Sequence, residues 1–91
     1  LSKQSAIKKA NEIVNVRAGD RDKTHGGFND SMERMAKIAT VLIGKDITTE
    51  DAFKLMLALK LSRLHAHSNF DTLVDIIGYT EGLNNYINKT K

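Results

Sequence analysis

Lys60 and Arg63 stand near the end of one predicted helix, and Asp71, Asp75 and Tyr79 follow at i, i+4 and i+8 on the next. Four-residue spacing sets the two carboxylates and the phenol along one helical face. The short stretch from His65 to Phe70 turns that face back toward the cations. Such a set could hold a metal and a phosphate. Asp71 and Asp75 offer the oxygen ligands that Mg²⁺ takes, with Glu33 on an earlier helix as a third. Lys60 and Arg63 would then hold phosphate oxygens, with Tyr79 and His25 completing that side. His25-Gly26-Gly27 precedes a predicted helix, where glycines can cradle an anion, although the spacing is not that of a P-loop.

The same residues have a plainer reading. Ser68 and Asp71 have capping-box spacing, and so do Asp30 and Glu33. Asp75 can pair with Lys60 or Arg63 across the helix hairpin, as an ion pair that fixes register. His25-Gly26-Gly27 can be an ordinary loop.

Other chemistries find no support. The chain has no cysteine, hence no disulfide, no thiolate nucleophile and no Cys-type zinc site. His65 and His67 are two apart and would point to different sides of a helix, which is not a zinc spacing. No Ser-His-Asp order or nucleophile elbow can be assembled. No apolar run reaches the roughly 18 residues of a membrane span. The opening Leu1-Ser2-Lys3-Gln4 does not read as a signal-peptide hydrophobic region. A cytoplasmic location is therefore expected.

The elements that must position these residues are helices. At 91 residues with 41% apolar content and no proline, the chain reads as one all-α domain. Apolar spacing predicts helices over about 3–17, 31–43, 49–65 and 69–87, packed as a compact four-helix bundle. The first carries Ala6, Ile7, Ala10, Ile13 and Val14 on one stripe. Residues 18–28 form the long loop, ahead of a three-helix core over 29–88. The second helix turns Met32, Met35, Ala36, Ala39, Leu42 and Ile43 inward and ends at Gly44, a C-cap glycine. Thr48 and Asp51 have cap spacing at the start of the third. Its apolar surface, from Phe53, Leu55, Met56, Leu57, Leu59, Leu61 and Leu64, is wide enough to predict burial on more than one side and a homo-oligomer. Lys60 lies on the Phe53–Leu64 line, so it must snorkel, pair with a carboxylate or face a cavity. The fourth helix turns Leu73, Ile76, Ile77, Leu83 and Ile87 inward. Gly78 inside it costs about 1 kcal/mol against Ala and marks close approach of a helix or a ligand.

Net charge is +3, and the whole excess lies in residues 1–24, with six basic side chains against three acidic. A basic leading helix suits phosphates or an acidic partner, or is simply a solvated face. Basic and aromatic residues do not interleave, so nucleic acid is not expected as a partner.

The run His25-Gly26, Glu33-Arg34, Ala36, Gly44, Ile47-Thr48 and Glu50-Asp51, continued by Met56, Lys60, Arg63-Leu64, Asp71, Val74-Asp75-Ile76 and Gly78-Tyr79, resembles a family of small phage and prophage proteins of uncharacterised function. The resemblance covers about residues 17–83 and leaves out the first helix. The Lys-x-x-Arg-Leu and Asp-x-x-x-Asp-Ile-x-Gly-Tyr stretches are its more specific part. The chain departs from the family at Gly27, where a small acidic or polar residue is common, and at Ala39 to Leu42, where aromatics are common. The aromatics that a stacking function would use in the family are therefore missing from this chain.

More remotely, the family is similar to the MazG-like all-α nucleotide pyrophosphohydrolases. Those enzymes bind Mg²⁺ and a triphosphate through paired Glu-x-x-Glu and Glu-x-x-Asp motifs. This chain has only Glu33 and the differently spaced Asp71/Asp75 pair, fewer ligands than a two-metal site needs. Two functions follow as expectations. One is a phage-encoded accessory protein, in the cytoplasm of the infected bacterium, that binds and in the fuller case hydrolyses a nucleotide phosphate ester with Mg²⁺. The other is a non-enzymatic protein of host takeover or counter-defence, whose basic first helix meets an acidic host protein.

Overall fold

The computed structural model describes residues 5–16 and 27–90. Its elements are α1 (Ala6–Asn11), continued by a π-helical turn (Glu12–Val16), then α2 (Phe28–Ile43), α3 (Thr49–Ala66) and α4 (Phe70–Thr90). The described residues contain no strand. The all-α, four-helix expectation holds. α2 packs on α3, α3 on α4, and α1 with its π-helical turn lies along α4. No helix among the described residues is long and apolar enough to cross a membrane.

Local chemistry sets the helix ends. The Ser5 hydroxyl accepts from Lys8 N and caps α1. Thr48 and Asp51 form a full capping box: Asp51 N donates to Thr48 Oγ1 at 3.0 Å, and Thr48 N donates to Asp51 Oδ2 at 3.1 Å. Gly44 closes α2 at φ 83°, a conformation in which a side chain would be strained. Between these caps, Thr40 Oγ1 accepts from Ile47 N at 2.8 Å and ties the connection to the helix before it.

Two expected caps are not formed. α2 begins at Phe28, three residues earlier than the spacing suggested, with Gly27 at its cap and no side-chain cap bond. The Phe28 ring packs on Phe53 and Tyr79, which draws its backbone into the helix. Asp30 is left inside the first turn, where its charge complements the N-terminal dipole. At the start of α4 the capping side chain is Asn69, not Ser68: Asn69 Oδ1 accepts from Thr72 N at 2.8 Å. Asp71 is therefore a first-turn acid and not the capping-box partner.

The core is small. Among the described residues, Ala10, Met32, Ala36, Ala52, Phe53 and Val74 are its buried apolar members, and Phe53 is fully enclosed. Phe28, Phe53, Tyr79 and Tyr86 join three helices through ring contacts at 5.4–6.0 Å. Two inward stripes differ from expectation. On α4 the buried line is Val74, Gly78 and Gly82, while Leu73 is 43% exposed. On α2, Leu42 and Ile43 face solvent together with Ile38 and Val41, because α3 covers only the Met32–Ala36 side.

Candidate functional site

The α3–α4 hairpin brings one half of the charged constellation together. Lys60 Nζ lies 3.0 Å from Asp75 Oδ2, with the lysine side chain only 13% exposed and the carboxylate 41%. The lysine that the apolar line of α3 carries inward thus takes a carboxylate partner, one of the three fates its position allowed. Tyr79, one turn beyond Asp75, turns its ring onto Phe28 and so belongs to the aromatic cluster.

The other described candidates lie on the exposed surface. Arg63 is exposed near the C-terminal end of α3, Asp71 is exposed at the start of α4, and Glu33 is exposed on α2. Among the described residues no group of three or more His, Asp or Glu side chains could hold a metal ion. Asp71, Asp75 and Glu33 therefore do not assemble the three-carboxylate donor set expected for Mg²⁺. His25 lies outside the described residues, as does most of the expected 18–28 loop.

Behind the Lys60–Asp75 pair is a cavity of about 60 Å³, lined by Ala10, Ile13, Val14, Phe28, Val74, Asp75, Gly78 and Tyr79. That is room for a few water molecules. The π-helical turn supplies Ile13 and Val14 to its wall. A Cβ built on Gly78 would sit 3.5 Å from Val14 Cγ2, an ordinary contact, so this glycine marks the approach of the first helix and not a cradle for a ligand.

A second polar group was not anticipated. Asn15 Nδ2 donates to Asn11 Oδ1 at 2.7 Å and to Glu81 Oε2 at 3.1 Å, and Asn85 Nδ2 donates to Asn15 Oδ1 at 3.1 Å. The ladder registers the first helix on α4. Its sequence signal is the matching i, i+4 spacing of Asn11/Asn15 and Glu81/Asn85. Beside it an open groove of about 520 Å³ runs between α1 and α4, lined by Ser5, Ile7, Lys8, Asn11, Ile77 and Glu81. Ile7 on its rim is 71% exposed.

No curated protein and no solved structure matches this chain. A family model does match, and it covers residues 5–87. It takes in α1 and its π-helical turn, which the resemblance over 17–83 had left out. With the leading helix, the Lys60–Asp75 hairpin and the asparagine ladder all inside the matched span, the chain belongs to the family described as Domain of unknown function (DUF6378).

Proposed function

We propose that this protein is a non-enzymatic interaction protein, serving host takeover or counter-defence for the phage or prophage that its sequence resembles. It acts in the cytoplasm of the infected bacterium. The observation that carries this reading is the Lys60–Asp75 pair: the one cation set into the apolar hairpin is already held, at 3.0 Å, by a carboxylate of the same chain. The pair then fixes helix register. The partner-facing surface is the open groove between α1 and α4, where exposed Ile7 and Lys8 offer an apolar contact beside a cation. That combination suits a host protein presenting an acidic segment with an apolar anchor. The protein immobilised in a bacterial lysate is expected to retain a partner that Ile7→Asp with Lys8→Glu loses. Equal retention by the variant would overturn the assignment of the groove.

A second reading rests on the 41% exposure of the Asp75 carboxylate, four residues from Asp71 and four from Tyr79. On that reading Asp71 and Asp75 hold Mg²⁺ with waters completing its shell, Lys60 and Arg63 hold a nucleotide phosphate ester, and the remote MazG-like resemblance is functional. Ligand binding to the native state must raise its stability. Thermal melting against nucleotides and cyclic nucleotides, with and without Mg²⁺, is expected to show no shift. A Mg²⁺-dependent rise that Asp75→Asn abolishes would establish the nucleotide reading in place of the first.

A further inference from the structure

The first helix changes its winding where it lies along α4. Ala6–Asn11 is α-helical, and Glu12–Val16 is a single π-helical turn. A π turn closes its hydrogen bonds between i and i+5. It is rare, and it occurs mostly as one turn set into an α-helix. Contacts from outside the turn must therefore favour it here over the α winding that precedes it.

Two contacts with α4 do so. Ala10 is 1% exposed and shares a cavity wall with Val74 and Gly78, so it marks the side of the helix that faces α4. Were α winding to continue at about 100° per residue, Asn11 would stand about 100° from Ala10 and Asn15 about 140°, turned further from α4. The smaller advance per residue of a π turn sets Asn15 back over Asn11. There its amide donates to Asn11 Oδ1 at 2.7 Å and to Glu81 Oε2 at 3.1 Å, and accepts from Asn85 Nδ2 at 3.1 Å. Val14, one residue before, comes within 3.5 Å of the place a Gly78 Cβ would take.

The turn also borders two open spaces. Ile13 and Val14 wall the cavity behind the Lys60–Asp75 pair, which Asp75 and Tyr79 also line. Asn11 and Glu81, two members of the ladder, line the groove between α1 and α4.

We propose that the π-helical turn is a two-position switch latched by the asparagine ladder. In the latched position the turn is π, and Ile13 and Val14 wall the cavity. In the released position it winds as α. Asn15 then swings off Glu81 and Asn85, Val14 leaves Gly78, and the cavity beside Asp75 and Tyr79 changes shape. A partner in the groove that takes the hydrogen-bonding groups of Asn11 and Glu81 for itself favours release, because a ligand shifts a two-state equilibrium by its differential contacts with the two states. The groove thereby communicates with the Lys60–Asp75 hairpin through one turn of helix. The latch is internal to the chain, and only its trigger rests on the proposed interaction at the groove.

The test uses the whole chain and needs no partner, so a groove that binds nothing leaves the latch standing. Through-hydrogen-bond couplings in nuclear magnetic resonance spectra identify the acceptor of the Val16 amide. It is the Asn11 carbonyl in a π turn and the Glu12 carbonyl in an α turn. Wild type should show Asn11. Asn15→Ala should move the acceptor to Glu12, abolish the Overhauser contact between the Val14 methyls and Gly78 Hα, and shift the Tyr79 ring signals. Glu81→Ala with Asn85→Ala, which leaves every residue of the turn in place, should do the same. Glu81→Gln keeps an acceptor for Asn15 and should behave as wild type. A coupling that stays on Asn11 in both alanine variants overturns the proposal. So does a first helix that loses its helical carbon shifts in them, since the ladder would then only tether it. A released turn that leaves the Tyr79 signals unmoved overturns the link to the cavity.

Discussion

Lys60 sits in the α3–α4 hairpin with its side chain only 13% exposed. Its place on the Phe53–Leu64 line allowed three fates, and the hairpin chose a carboxylate, Asp75, over solvent or a cavity. Removing one partner of a buried pair strands the other charge, while removing both does not. Asp75→Asn should therefore cost about 1–3 kcal/mol, less than a fully buried pair would, because the carboxylate is 41% exposed. Lys60→Met added to Asp75→Asn should recover more than half of that loss in urea denaturation. A double variant no more stable than Asp75→Asn would mean that the lysine is not held by this partner.

Asp51 gives a prediction in pH. The Thr48 backbone N–H, and then its hydroxyl, hold the Asp51 carboxyl below the ordinary carboxylate range. A lowered folded value means that the contribution is present above the unfolded value and is lost as pH falls through the folded one. The difference in melting temperature between wild type and Asp51→Asn should thus be largest near neutrality and shrink below about pH 4. A difference that does not change with pH would exclude the charged cap as its source.

Among the elements, α4 carries two buried glycines with opposite requirements. A Cβ on Gly82 would collide with Phe28 Cε2 and lie 3.0 Å from Cδ2, whereas a Cβ on Gly78 meets only Val14 at 3.5 Å. Alanine is the better helix former by about 1 kcal/mol at either site. Gly78→Ala should accordingly be neutral or stabilising by up to about 1 kcal/mol. Gly82→Ala must displace the ring that bridges Phe53 and Tyr79, and should destabilise by about 1–3 kcal/mol despite the gain in helix propensity. Thermal melts of the two variants, compared for sign, test whether Phe28 is seated as described. The periodicity of α4 was legible, but a glycine on an inward face does not announce itself to a hydrophobic pattern. Leu73 was placed inward and Gly82 was not singled out for that reason.

At the scale of the molecule, the described residues include six buried apolar side chains, a thin core. The radius of gyration is 14.0 Å, against about 12 Å for a compact chain of this length. Phe53, fully enclosed and in ring contact with Phe28 and Tyr86, concentrates much of the packing. Phe53→Ala should cost about 3–5 kcal/mol, most of the stability of so small a domain. Circular dichroism should show a largely unfolded chain near physiological temperature. Retention of a cooperative melt near the wild-type temperature would place the weight of the core elsewhere.

The helix count, the Gly44 stop and the Thr48–Asp51 box were all legible in the residues, because each depends on spacing or conformation within a few positions of chain, whereas Lys60 was left with pairing as one of three fates. What needed the packed structure was the burial of Val74, Gly78 and Gly82 in place of Leu73, the failure of Glu33 to join Asp71 and Asp75, and the exposure of Ile38, Val41 and Leu42. Periodicity says that a helix has an apolar face. Whether that face meets its own chain depends on how far a neighbouring helix reaches, and on α2 the cover from α3 stops short.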